Sequence, residues 1–505
     1  MTILHDPIEV SGWLRERVTG ALRTDSRRVQ PGDGFIAWPG AATDGRQYLA
    51  DALAQGAAAC LLEAEGAQRW SDLLAADALR QPHRLACVPS LKALTGPIAD
   101  AWYDRPSDDL QVLAVTGTNG KTSTTWWLAQ ALSHSGRACA LVGTLGTGRP
   151  PVLETTGMTT PDPVRLQQAF RSFADRGWTH CAIEASSIGL AEHRLAGTRI
   201  HVAIFTNFTQ DHLDYHGSMQ AYWEAKRALF DWPGLRSAVV NLDDPQGPAL
   251  AARLQARASD LWTCSRHQRS ARLFGHTQVS AQGLSMQVFE GPQSARLETA
   301  LIGDYNLDNL LGVIAAQRAC GVPLEEAVQA CTALTPVPGR MQRVPGPEQS
   351  PAVVVDYAHT PDAVRQALSA LEPLAQARGG QLWCVMGCGG DRDPFKRPLM
   401  AAAAESGAAR LVFTSDNPRS EPPEDILRQM VQGLQTPQAV TVIADRAEAI
   451  DWSVRHAAAQ DVILLAGKGH ETTQDIGGRL LPFSDMEQAG RALAGRTNGV
   501  QEQAA

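Results

Sequence analysis

The sequence predicts an α/β chain of three domains, and three observations predict it. The chain has 505 residues, which at roughly 150 per domain gives about three. Short apolar runs alternate with helical stretches through its middle and last thirds, the grammar of parallel sheets flanked by helices. Two proline-bearing seams break that alternation: YDRPSDDL (Tyr103–Leu110) and TPVPGRMQRVPGPEQSP (Thr335–Pro351), the second with five prolines. Proline removes amide donors and punctuates regular structure, so the expected domains are 1–107, 108–336 and 337–505. With 44% hydrophobic and 19% charged residues, each can build a core, and wholesale disorder is excluded.

Charge and targeting narrow the function classes. The net charge is −8, from 45 Lys+Arg against 53 Asp+Glu, and no basic block stands out, so no nucleic-acid partner is expected. The start, MTILHDPIEV, lacks a basic segment followed by an apolar one, so it does not read as a secretory signal. No apolar run approaches the ~20 residues of a membrane span. The nine cysteines are scattered without a CxxC pair. They read as buried reduced thiols of a cytoplasmic protein, not as disulfides or a zinc site.

The first domain reads as a small α/β unit, from the turn-rich TDSRRVQPGDGFIAWPG and the strands in ACLLE and RLACVPS. The central domain has strand candidates at Leu110–Gly117, Ala138–Thr144, Thr179–Ala185, His201–Asn207 and Ser237–Asn241. The last domain reads as a Rossmann-like, doubly wound sheet. Its strand candidates are Ala352–Ala358, Leu382–Gly387, Arg410–Ser415, Ala439–Asp445 and Asp461–Gly467. Between the first two, Val364, Ala367, Leu368, Leu371 and Leu374 share one helix face, with Thr360 as N-cap and Pro361 in the first turn. Such sheets bind ligands at the carboxyl ends of their strands, where Asp356, Arg392, Asp416 and Lys468 fall.

The strongest motif is TGTNGKTS (Thr116–Ser123), between an apolar strand and the helix TSTTWWLAQALSHSG. Glycines let backbone amides face phosphates, and the helix N-terminus adds positive potential. Lys121 would reach the β/γ-phosphates, and the Thr122 hydroxyl would ligate Mg²⁺. The loop is a shortened form, with Val115 where the usual pattern has its first glycine. The alternative is a plain glycine turn, which has no use for the Lys-Thr pair. Behind the loop, Glu184 ends a strand, and Asp211, His212, Asp214 and His216 cluster after another. No Glu-containing HExxH is present, and a DH turn could order itself by side-chain hydrogen bonds. Mg²⁺ takes one or two carboxylates plus phosphates, a role that suits Glu184 better than the histidines. Taken alone, Lys226 in AYWEAKRALF is a solvated lysine on an amphipathic helix.

Together these motifs resemble the Mur ligases, ATP-dependent amide-forming enzymes of peptidoglycan precursor synthesis. The resemblance runs through DSRRVQPGD, TGTNGKTS, TTGMTTPDP, EASSIGL, TNFTQDHLDYHG, EAKRALF, GDYNLDN, GRMQ, DYAHTPD, GCGGDRDPFKRPLM, SDNPR and GKGHE, essentially the whole chain. DNPR (Asp416–Arg419) is similar to the members that add meso-diaminopimelate. The resemblance implies a small N-terminal domain that holds the UDP end of the substrate, here through Thr24 and Ser26. It implies ATP contacts at Gly117, Thr118, Asn119, Gly120, Lys121, Thr122, Ser123, Asn306, Arg340 and Asp356. Thr155, Thr156, Ser186 and Arg194 match positions that hold the muramoyl-dipeptide. Arg392, Asp416, Asn417, Pro418, Arg419, Gly467 and Glu471 match the site for the incoming amino acid. The implied Mg²⁺ ligands are Thr122, Glu184 and His212, with Lys226 as a carbamate, so Lys121, Glu184, His212 and Lys226 are the expected catalytic set. Glu154, Glu192 and the stretch Ala41–Thr43 depart from the family's pattern and stay outside the expected site.

The implied reaction joins meso-diaminopimelate to UDP-N-acetylmuramoyl-L-alanyl-D-glutamate and yields ADP and phosphate, in a monomer of the cytoplasm with no membrane span. A carboxylate is a poor electrophile, so an acyl phosphate is the expected intermediate. The rivals are an L-lysine-adding homologue, another amide ligase such as folylpolyglutamate synthetase, a phosphate-loop switch that makes no covalent product, and a scaffold with a vestigial loop. DNPR and the DSR…PGD segment argue against the second. The third has no use for a C-terminal amino-acid site. The intact Lys121–Thr122 pair argues against the last.

Overall fold

A computed structural model describes residues 2–40, 43–70, 84–256, 260–278 and 283–502. Of the stretch Ala41–Thr43, Ala41 and Ala42 lie outside the described residues. Three α/β domains follow one another, each built on its own sheet. The first sheet has five parallel strands in the order Thr2–Ile3, Leu85–Val88, Ala59–Glu63, Gly34–Ala37, Leu22–Arg23. The last has six, with Gln342–Arg343 as an antiparallel edge and then parallel Ala352–Asp356, Val462–Ala466, Leu382–Met386, Arg410–Phe413 and Val440–Val442. We propose domain boundaries near residues 107 and 337, in the two proline-bearing seams.

The strand runs are continuously apolar because both faces of each sheet are covered. Along Gln111–Thr116, Leu113 and Val115 enter one core while Val112 and Ala114 enter the other. In the last domain Val354 and Val355 divide in the same way. The helix Pro361–Arg378 starts where the Thr360 hydroxyl accepts the Ala363 amide at 3.1 Å, and it stops at Gly379 in the left-handed region. Its expected face is buried, with Leu374 half-buried at the rim. The helix Lys121–His134 is buried nearly all round, because helices Asn306–Ala319 and Leu324–Thr332 pack against it on the same face of the sheet.

The central sheet is larger than the sequence runs suggest. It has eleven strands, and antiparallel pairs extend both ends. Leu284–Glu290 and Gln293–Thr299 form a hairpin at one end, and Gly146–Arg149 and Val152–Glu154 close the other. These strands bury one face only. Met286, Val288 and Leu297 point inward while Arg296 and Glu298 are exposed, a period-two pattern that a search for unbroken apolar runs passes over. The run Ala439–Asp445 yields only the short edge strand Val440–Val442.

Burial pushes the Cys331 and Cys384 thiols up to about 12, so both stay protonated near neutrality. Among the described residues, no helix is long and apolar enough to cross a membrane.

One ion pair fixes the last helix. Arg446 and Asp485 meet at 2.7 Å, both fully buried, and the Arg446 guanidinium also donates to the carbonyls of Ser415 and Ala466, at the carboxyl ends of the two strands that flank Leu382–Met386. Removing one partner of such a pair strands the other charge, so Asp485→Ala should cost about 3–5 kcal/mol. Urea unfolding of the variant checks this, and a loss below about 1 kcal/mol would place the pair among the weak surface contacts.

Candidate active site

The central strand Gln111–Thr116 lies between His180–Glu184 and Ile200–Phe205, all parallel. Their carboxyl ends therefore deliver three loops to one place. The loop after the first is the phosphate loop. A Cβ on Gly117 (φ +149°) would stand 1.9 Å from the Thr206 hydroxyl, and one on Gly120 (φ +83°) 2.4 Å from Asn309 Oδ1, so only glycine fits this path. Asn207 clamps the loop: its Oδ1 accepts the Asn119 amide at 2.9 Å and its Nδ2 donates to the Asn119 carbonyl at 3.1 Å. Lys121 folds back over the loop, donating to the carbonyls of Gly117 and Thr118 at 2.8 Å each. Ser123 follows in the first helical turn, buried.

Glu184 ends its strand beside the loop. Its Oε2 accepts the Thr122 hydroxyl at 3.0 Å, and Thr144 binds the same carboxylate through its amide (2.8 Å) and hydroxyl (3.2 Å). Lys226 is not a solvated lysine. It is 1% exposed, its Nζ donates to the Gly117 carbonyl at 2.6 Å, and it lies over the Tyr222 ring at 4.4 Å. Burial, with Lys121 adding to it, drives the Lys226 amine well below its ordinary range, and burial also lowers Lys121. Tyr222 reaches the loop as well, with its hydroxyl 3.2 Å from Thr118 Oγ1. His212 sits in the left-handed region before the short helix Leu213–His216, its Nε2 3.6 Å from Asp211. Burial lowers its pKa against the pull of Asp211.

The last domain closes the cleft from above. Arg340 lies 4.4 Å over the Tyr357 ring and donates to the Thr122 hydroxyl at 3.3 Å. Asp356, buried at the end of its strand, accepts the Met341 amide at 2.7 Å, and burial raises its carboxyl against the pull of Arg340. Lys396 reaches Asp211 across the domain gap at 3.6 Å. Asn306 opens the helix that packs behind the loop and accepts from Asn309 Nδ2 at 3.0 Å. The resulting cleft holds about 520 Å³ and is lined by Lys121, Thr122, Glu184, Lys226, Arg340 and Asp356 among others.

The expected site residues thus fall into three neighbourhoods. The nucleotide and metal set meets in the cleft. The dipeptide set lies beside it. Thr160 donates to the Glu184 carbonyl at 2.7 Å, lies 3.0 Å from Ser186 Oγ, and its carbonyl accepts Arg194 Nη1 at 3.0 Å. Thr155 is exposed and Thr156 half-buried on the segment leading into this turn, where Arg165 holds the Thr156 carbonyl at 3.3 Å. Ser26 opens a 3₁₀ turn in the first domain, and Thr24 lies near Asp162, the cap of helix Pro163–Asp175. The amino-acid set forms the third neighbourhood, away from the cleft lining. Arg419 and Arg392 flank Gly389, and Arg419 Nη1 donates to the Gly390 carbonyl at 2.7 Å. Pro418 packs on Gly390, and Gly467 leaves room for Asp416 Oδ2. Burial raises the Asp416 carboxyl, against the pull of Arg446 and Lys468.

Three residues that the sequence left without a role support the site. Lys468, fully buried, donates to Asn417 Oδ1 (3.0 Å) and Glu471 Oε2 (2.8 Å), and Asn417 Nδ2 also bonds Glu471 at 2.8 Å, so the amino-acid set is locked together. Asn309 supports the phosphate loop. Its signal was the second asparagine of GDYNLDN. Thr144, at the end of a strand run, anchors Glu184.

Hard oxygen donors suit Mg²⁺, and the Thr122 hydroxyl and Glu184 carboxylate offer them side by side. Among the described residues no three His, Cys, Asp or Glu side chains group as a metal site. As a bare amine Lys226 is no metal ligand. Only a modified, anionic form could serve as one.

Residues 20–85 match the Mur ligase family catalytic domain, residues 115–317 the Mur ligase middle domain, and residues 339–469 the Mur ligase glutamate ligase domain. The UDP-N-acetylmuramoyl-L-alanyl-D-glutamate--2,6-diaminopimelate ligase of Acidovorax sp. (strain JS42) is 58% identical over 508 residues, covering 99% of both chains. The ligase of the same name from Janthinobacterium sp. (strain Marseille) is 47% identical over 96% of both. A solved structure of a ligase of that name superposes with a TM-score of 0.64 at 35% identity, covering 94% of this chain and 95% of that one. With a family domain matched in each of its three domains and a relative this similar along its whole length, the chain belongs to the Mur ligase family.

Proposed function

We propose that this chain catalyses the ATP-dependent addition of meso-diaminopimelate to UDP-N-acetylmuramoyl-L-alanyl-D-glutamate in peptidoglycan precursor synthesis, as a cytoplasmic monomer. The observation that carries the reading is the cleft, where the phosphate loop, Glu184 and two buried lysines meet Arg340 and Asp356 of the last domain. The names of the relatives that match along the whole chain support the choice of substrates.

The chemistry follows from charge. The side-chain carboxylate of D-glutamate and the γ-phosphate are both anions. Lys121, the loop amides and Arg340 offset their repulsion, so a carboxylate oxygen can attack phosphorus while ADP leaves. The product is an acyl phosphate. The amine of diaminopimelate then attacks its carbonyl, loses a proton, and phosphate departs with the oxygen it took from the carboxylate. Thr122, Glu184 and His212 would hold Mg²⁺, which supplies charge neutralisation on the transferring phosphoryl group. Placing the reactants in line contributes about 7–11 kcal/mol of the barrier reduction. Three ligands arriving from three domains favour closure, which keeps water from the acyl phosphate.

Lys226 takes its role from its burial. An amine held neutral by its surroundings is a nucleophile toward carbon dioxide, and the carbamate that forms is an anion with oxygen donors for Mg²⁺. Carbamate formation releases a proton, so acid reverses it, and activity that depends on it falls as the pH drops. Lys226→Ala should lose nearly all ligation, and small carboxylic acids should restore part of it. Failure of any carboxylic acid to restore turnover would remove the carbamate from the account.

The choice of amino acid falls to Arg419 and Arg392. meso-Diaminopimelate carries a carboxylate at its far end that lysine lacks, and a guanidinium fork binds a carboxylate through two bonds. With lysine bound the two cations would face an ammonium, so selectivity should be large. Competition between the two amino acids tests this. Wild type should strongly prefer meso-diaminopimelate, and Arg419→Ala should lose most of that preference. Equal use of lysine by wild type would refute the substrate assignment, and full selectivity in the variant would clear Arg419 of the reading role.

A further inference from the structure

The helix Leu91–Trp102 of the first domain lies against the central-domain turn that follows helix Ser187–Ala191. The two backbones touch: a Cβ on Gly96 would stand 2.0 Å from the Ala196 carbonyl oxygen, and one on Gly197 2.6 Å from the Gly96 carbonyl oxygen. One turn earlier on the same helix face, Lys92 reaches across this joint to Glu192 at 2.7 Å. The pair is largely shielded, with side chains 31% and 17% exposed. The other Glu192 oxygen accepts the Tyr215 hydroxyl at 2.5 Å, and Tyr215 belongs to the short helix directly after His212. Burial pushes the Glu192 carboxyl up, but the bonds from Lys92 and Tyr215 outweigh it and hold the group below its ordinary value, so it is ionised near neutrality.

An ionised carboxylate is out of place here. Glu192 stands two residues before Arg194, which together with Ser186 is read above as holding the muramoyl-dipeptide. That ligand is a polyanion, with a diphosphate and free carboxylates. A bare carboxylate beside it would repel it.

We propose that Lys92 is a positioning residue that neutralises Glu192 across the joint, so that the neighbouring Ser186 and Arg194 site accepts an anionic substrate. The proposal rests on the reading of Ser186 and Arg194 as substrate contacts. It differs from a plain strut in one respect. A strut is lost when either end is removed, whereas a counter-charge becomes dispensable once the charge it balances is gone.

Steady-state kinetics of the full-length enzyme separate the two. Lys92→Met should raise KM for the UDP-muramoyl-dipeptide about tenfold, since one uncompensated like charge is worth at least that much. The KM for ATP and kcat should stay within about twofold, because the lost interaction is with bound ligand and not with the transition state. Lys92→Arg keeps the charge and should behave as wild type. Adding Glu192→Gln to Lys92→Met should bring KM back to within about threefold of wild type. An unchanged KM in Lys92→Met, or a double variant as impaired as the single one, would overturn the proposal. A wild-type enzyme that consumes ATP yet never saturates with the UDP-muramoyl-dipeptide would instead overturn the underlying reading of the cleft.

Discussion

Two lysines from different elements share one carbonyl oxygen. Lys121 of the phosphate loop and Lys226 of the helix Met219–Arg227 both donate to the Gly117 carbonyl, at 2.8 and 2.6 Å. Among the described residues neither has a carboxylate within ion-pair distance. Burial and mutual repulsion disfavour two ammonium groups so placed, and the proposed function relieves them with anions: phosphates for Lys121, and a carbon dioxide adduct for Lys226. Much of the surrounding structure serves this pair. Gly117 and Gly120 exist so that the loop can turn under it, and Asn207 and Tyr222 hold the loop in place. The cleft is thus a site whose own charges call for the substrates of a phosphoryl transfer.

The domain plan follows from the same need. The central sheet alone supplies Lys121, Thr122, Glu184 and Lys226, but it leaves the cleft open on one side. Arg340 and Asp356 come from the last domain, and Lys396 ties that domain to Asp211. The first domain meets the central one at Gly96 and Ala196, and Lys92 pairs with Glu192 across the same joint. In the proposed function both domain joints would border substrate, so domain closure would accompany binding.

What was legible in the sequence had a local cause. Strands covered on both faces gave unbroken apolar runs, and the Thr360 cap and the Pro361 start followed from short-range chemistry. The phosphate loop was legible because strand, glycines, lysine and threonine occur in sequence. The hairpin Leu284–Thr299 was not, because one-faced strands alternate and their polar positions break the run. Lys226 was misread from its neighbours alone: an amphipathic helix does not reveal that one lysine on it faces Gly117 from 109 residues away. Only the family resemblance pointed to it. Lys468, Asn309 and Thr144 went without roles for the same reason, since each acts on a partner fixed by the tertiary fold.

The central claim is that this cleft activates a carboxylate by phosphorylating it. The most direct measurement uses UDP-muramoyl-dipeptide whose D-glutamate side-chain carboxylate is labelled with oxygen-18. Ligation should place one labelled oxygen in the inorganic phosphate released, because phosphorus keeps the oxygen that attacked it. Phosphate free of label would mean that ATP is hydrolysed by water and the amide forms by another route, which would contradict the account.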